Sequence, residues 1–127
     1  MTKGLRKVAN GEHATVWVTE EVSAFIDGYD QPQHRAKCQR HMVNFAKEGS
    51  KIVRNAEHFK FQGHYNVGSG GQRIAISVFK AHQLRVYGGF VPGTTDFVCT
   101  KAERKKTNKA KAAVLQAAAN AVWELRR

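Results

Sequence analysis

The spacing of apolar residues changes in the middle of this chain, and that change fixes most of what the chain can fold into. Between residues 20 and 47 apolar side chains recur every three or four positions: Val22, Phe25 and Ile26, then Cys38, Met42 and Phe45. That is the repeat of one helix face. Between residues 58 and 90 they recur at every second position: Phe59 and Phe61, then Ile74, Ile76 and Val78, then Leu84 and Val86. A period of two belongs to a strand with one buried face. Helices followed by a run of strands give an α+β fold with an antiparallel sheet. At 127 residues the chain, 1–127, is read as a single domain, since single cores usually span roughly 50–200 residues.

Local chemistry sets the expected boundaries. Ala14 to Val18 is a short apolar, β-branched run that reads as a leading strand. Thr19 suits a helix N-cap, with Glu20 and Glu21 in the first turn and Gly28 near the end. Pro32 to Lys47 reads as a second helix stopped by Gly49. Strands are expected over 58–62, 73–80, 83–90 and 96–100, separated by Gly- and Pro-containing turns. Glu103 to Leu125 reads as a final helix, with Val114, Ala118, Val122 and Leu125 on its buried stripe. The expected architecture is a small antiparallel sheet with an N-terminal helical hairpin and a C-terminal helix packed on one face.

The charge is strongly positive, 21 Lys and Arg against 10 Asp and Glu, or +11. The excess sits in two blocks, 33–54 at +5 and 101–127 at +6, while residues 1–32 are slightly acidic. Such a field attracts polyanions. No apolar run approaches the roughly 18–20 residues of a membrane span, and the polar N-terminus lacks the apolar stretch of a secretory signal, so a cytoplasmic protein is expected. Cys38 and Cys99 alone make no disulfide framework. His34 with His41, and His58 with His64, lack a carboxylate or cysteine at ligand spacing. No metal and no cofactor are expected. Gly68-Ser-Gly-Gly71 lacks the Lys-Ser/Thr of a phosphate loop and leads into a strand.

Strand parity carries the functional expectation. If the alternating apolar residues pack under the helices, His58, Lys60, Arg73, Arg85 and Tyr87 share the opposite, open face. Three permanent cations, an imidazole and a phenol with no carboxylate suit a phosphodiester, whose transition state gains negative charge. A Lys or His can take the proton of a ribose 2′-hydroxyl, and a Tyr, His or Lys can protonate the leaving oxygen.

Three stretches carry a family likeness. Ser69-Gly-Gly-Gln-Arg-Ile-Ala-Ile-Ser-Val-Phe79 is a glycine turn followed by an Arg-initiated strand. Leu84-Arg-Val-Tyr-Gly-Gly-Phe90 is the next strand, and Glu103-Arg-Lys-Lys-Thr-Asn-Lys-Ala110 is a basic segment before the last helix. In these the chain resembles the RelE/ParE superfamily of bacterial toxins, especially its HigB-like branch. The resemblance implies a helical hairpin on a small sheet, metal-independent cleavage of messenger RNA on the ribosome to a 2′,3′-cyclic phosphate, and silencing by an antitoxin protein. It implies that Arg73 holds the scissile phosphate and that Lys60 serves as base or charge stabiliser. Lys101, Arg104 or Lys105 would close the site, and all three, with Lys106 and Lys109 of the same basic segment, are expected to bind the nucleic acid. Arg85, Tyr87 and His58 come from parity. The sequence departs from the pattern at 91–101, which intervenes between the Gly-Phe strand and the Lys-Lys segment, and Trp123 stands near the end where the superfamily often has a tyrosine or histidine.

Two other readings stand beside it. Three strands followed by Lys105, Lys106 and Lys109 at the start of an Ala-rich helix resemble a double-stranded-RNA-binding domain, a module without catalysis. A ParE-like protein would instead poison gyrase.

Overall fold

A computed structural model describes residues 4–49, 57–105 and 111–126. These residues contain β1 (Leu5–Asn10), β2 (Thr15–Thr19), α1 (Glu20–Asp27), α2 (Pro32–Glu48), β3 (Phe59–Val67), β4 (Gln72–Ala81), β5 (Leu84–Phe90), β6 (Asp96–Arg104) and α3 (Ala112–Glu124). The six strands form one open sheet in the order β1-β2-β6-β5-β4-β3. All neighbours run antiparallel except β2 and β6, which run parallel. Parallel neighbours need a long connection; here it contains both helices and three strands. Trp17 Nε1 donates to Asp96 Oδ1 at 2.9 Å and ties β2 to β6.

The early helices start and stop where their chemistry demands. Thr19 Oγ1 accepts from the Val22 N–H at 3.3 Å, beside Glu20 and Glu21 in the first turn of α1. α2 opens on Pro32 and closes at Gly49, whose φ of 57° lies in the left-handed region. A side chain on Gly49 would also run into the His13 ring, 2.4 Å away.

The helices do not share one face of the sheet. α1 and α2 cover one side through Val22, Ile26, Cys38, Met42 and Phe45, packed on Val16, Phe59, Phe79, Leu84 and Val86. α3 covers the other through Leu115, Ala118, Ala119 and Val122, packed on Ile74, Ile76, Val78, Tyr87 and Val98. The reason is in β4. Ile74, Ile76 and Val78 point to the α3 side, and the adjacent Phe79 and Ala81 point to the α1–α2 side. β5 is buried at every residue from Leu84 to Gly89, as a strand covered on both faces must be.

Three expectations are corrected at the boundaries. The chain leads with the β1–β2 pair, so it does not begin with a helical hairpin. β6 continues to Arg104, because Arg85 pairs with Glu103 and Leu84 with Arg104. The last helix therefore starts at Ala112, not Glu103. No helix among the described residues is long and apolar enough to cross a membrane.

Candidate nucleic-acid interface

The β4–β5 hairpin closes through His82 and Gln83, between the paired residues Ala81 and Leu84. His82 adopts a φ of 56°, a left-handed conformation uncommon outside glycine but more accessible to histidine than to most residues. Lys80 and Arg85 pair across the hairpin just inside this turn. Together with Lys37 of α2 and His58, Glu57 and His82 they line a cleft of about 250 Å³. Lys60, opposite Val78, lies two positions before the partner of Arg85 and on the same side of the sheet as Lys80.

Two histidine stacks hold α2 over this end of the sheet. His34 lies on His82 with ring centroids 4.0 Å apart, and His41 on His58 at 4.1 Å. His34 and His41 are seven residues apart and so share a face of α2. Burial pushes the His41 imidazole down to about 4, and His58, Lys37 and Arg40 push in the same direction. Burial also lowers His34, helped by His82, Lys37 and Arg104 and opposed by Asp30. Nε2 of His41 and Nδ1 of His34 are buried with no hydrogen-bond partner. Both rings are therefore neutral spacers near neutral pH.

The cleft itself is short of negative charge. Partial burial lowers the Lys80 ammonium from its ordinary value, followed by Arg85 and Lys60, with Glu57 opposing. An anion placed in the cleft would relieve that repulsion. Arg85 Nη1 donates to the His82 and Leu84 carbonyls, so its guanidinium is fixed against the turn.

The residues expected to share one open face are distributed over three places. His58 and Arg85 line the cleft, and Lys60 stands outside its lining but near enough to Lys80 to disfavour its charge. Tyr87 does not join them: it is 1% exposed beneath α3, and its hydroxyl donates to Glu103 Oε2 at 2.6 Å. Burial, then the bond to Glu103, raises its phenol far above the neutral range. Arg73 lies seven residues from Lys80 along β4, roughly 23 Å at strand rise. Its odd parity puts it on the α1–α2 side, with Phe79.

The basic residues expected to follow the last strand lie in or just after β6 and are occupied. Lys101 pairs with Glu21 at 3.2 Å. Arg104 pairs with Asp30 and lies over the Tyr29 ring, 4.5 Å from its centroid. Lys105 is buried, with its N–H bonded to the Gln83 carbonyl at 2.7 Å. Lys106 and Lys109 lie outside the described residues. Sequence reasoning missed Lys37, Lys80 and His82 as site residues. Lys80 was visible as the last residue of an alternating strand beside a two-residue turn, but Lys37 reaches the cleft only through the packing of α2.

No family model, curated protein or solved structure matches this chain.

Proposed function

We propose that this protein binds RNA in the cleft at the β4–β5 hairpin and cuts it there, as the toxin of a toxin–antitoxin pair. The observation that carries the reading is the lining of the cleft: Lys37, Lys80 and Arg85 with His58 and His82, against the single carboxylate of Glu57. Arginine and lysine donors match phosphate oxygens, and they stabilise the negative charge that builds on the non-bridging oxygens during attack.

Lys80, which holds its proton less tightly than an ordinary lysine, takes the proton of the ribose 2′-hydroxyl. The O2′–P bond forms, the P–O5′ bond breaks, and His58 or His82 gives the leaving oxygen its proton. The products are a 2′,3′-cyclic phosphate and a 5′-hydroxyl, with no cofactor in the scheme. The likeness of 69–79 and 84–90 to the RelE/ParE superfamily supports messenger RNA on the ribosome as substrate and an antitoxin as partner. Two helices do lie between β2 and β3, but the strands β1 and β2 precede them, so the support from the fold is limited to its α+β class.

A second reading, RNA binding without cleavage, is favoured by the burial of Tyr87 and by the distance of Arg73 from the cleft. Incubating the protein with ribosomes and messenger RNA in magnesium buffer, and with free RNA with and without EDTA, separates the two. Cleavage at discrete sites with cyclic phosphate ends, lost in Lys80→Ala, is the expected result. Intact RNA that co-sediments with the protein would leave only the binding function, and cleavage that EDTA abolishes would overturn the metal-independent step.

A further inference from the structure

Beyond α2, part of the α1–α2 side of the sheet lies open, and its residues fall in three rows. Phe61 and Ser77 make the first row across β3 and β4, which ends at the buried Gly88 of β5. His64 and Ala75, with Phe90 on β5, make the second, and Asn66 and Arg73 the third. A β-bulge between Phe61 and Gly63 builds the second row. Without the extra residue, His64 would face the opposite side from Phe61; with it, the two rings meet edge to face, 5.1 Å between centroids.

Phe61 is 47% and Phe90 36% exposed, and both are large apolar residues on a surface that has few. Beside Phe90 the small side chains of Ala75 and Ser77 leave a groove of about 230 Å³, lined further by Phe59, Phe97, His13 and Phe45. Phe61 stands next to it, opposite Ser77. That volume is below the roughly 300–1,000 Å³ of drug-sized ligand sites and suits one planar ring system. None of the residues in the three rows is an acid, Arg73 stands at the far end, and the chain carries +11. A partner helix needs a continuous apolar strip, and here His64, Asn66 and Arg73 interrupt it. Exposed flat rings with a cation on an open sheet are how proteins hold unpaired bases.

We infer that this face stacks the bases of unpaired RNA, extending the cleft so that the protein selects single strands over duplexes. The inference rests on the RNA reading of the cleft. The two surfaces adjoin around the edge of the sheet that β3 forms. Phe61 follows His58 by three residues, roughly 10 Å along the chain. It faces the α1–α2 side while Lys60 and Lys80 have the parity of the α3 side, so a bound strand passes around that edge.

The test is fluorescence anisotropy of a labelled, unstructured 2′-O-methyl oligonucleotide, which cannot be cut, and of a hairpin duplex of equal length. Wild-type protein should bind the single strand more tightly. Phe61→Leu/Phe90→Leu, which keeps apolar surface but loses the rings, should weaken single-strand binding roughly 5- to 100-fold and leave duplex binding unchanged. Phe61→Tyr/Phe90→Tyr should restore it. Equal single-strand affinity in wild type and the Leu variant overturns the base-stacking face while leaving the cleft standing. A Leu variant that binds RNA normally but changes from dimer to monomer in sedimentation makes the face a self-association surface and likewise overturns the inference. If Lys37→Ala/Lys80→Ala binds both RNAs as tightly as wild type, the cleft reading fails, and the ring variants still decide the face on their own. Wild-type protein that binds neither RNA ends both.

Discussion

His41 of α2 lies ring on ring over His58, with centroids 4.1 Å apart and planes 18° from parallel. The stack joins a helix to the start of β3, and it works only while His41 is neutral. Its Nε2 is buried without a partner, and Lys37, Arg40 and His58 all oppose its protonation.

Acid should therefore loosen this end of the molecule. His41 is held at about 4 in the fold against an ordinary 6.5. The stability it contributes is complete above 6.5, is lost as pH falls from 6.5 towards 4, and is gone below, to a limit of about 3 kcal/mol. His41→Phe keeps a flat ring on His58 and removes the titration. Urea denaturation at pH 7 and pH 4.5 should show a smaller loss of stability on acidification in the variant. An equal loss in both proteins would show that the stack does not sense protons.

Tyr87 anchors β5 to β6 and takes no part in proton transfer. Tyr87→Phe strands the Glu103 carboxylate, half-buried beside it, and should cost about 1–2 kcal/mol. RNA cleavage per folded molecule should be unchanged. A large loss of cleavage with normal stability would return Tyr87 to the chemistry.

Gly88 is required by the close approach of β5 and β6. A Cβ there would stand 2.5 Å from the Val98 carbonyl oxygen and 2.9 Å from Cys99 Cα, both backbone atoms that cannot swing away. Gly88→Ala should cost about 2 kcal/mol or more, read as a lower midpoint in thermal or urea unfolding. A variant with wild-type stability would mean that the strands separate freely at this point.

The sequence made much of this fold legible, and what it hid has physical causes. α1 and α2 were readable because Thr19, the two glutamates, Pro32 and Gly49 mark their ends in ways that need no tertiary context. β4 was readable by its alternation, but not which side each face would meet. Ile74, Ile76 and Val78 satisfy a helix above as well as below, and only Phe79 and Ala81 on the other parity announce a second covered face. Tyr87 was misplaced for that reason. Arg73 and Lys60 looked like neighbours because the apolar rows of β3 and β4 read alike in sequence. Phe59 instead faces α1 and α2 while Ile74, Ile76 and Val78 face α3, and alternation says nothing of distance along the strand. The bulge after Phe61 then reversed the parity of the rest of β3. Lys37 was hidden because a helix reveals its buried stripe, not what a flanking lysine will reach.

Charge and chemistry at Lys80 can be separated by a substitution that keeps one and removes the other. Lys80→Arg retains the cation, so RNA affinity should stay within about twofold. It lacks a base that deprotonates, so cleavage should fall roughly 10²- to 10⁴-fold. Cleavage at the wild-type rate would move the base elsewhere in the cleft.

The most direct test of the cleft is the salt dependence of its affinity for single-stranded RNA. Each phosphate contact contributes a slope of about 0.7 to the fall of log K with log salt. Lys37→Ala/Lys80→Ala should flatten the wild-type slope by about 1.4, while Lys7→Ala, on the exposed strand β1, should leave it unaltered. A double variant whose line runs parallel to wild type would show that these lysines never meet phosphate, and the cleft would not be where RNA binds.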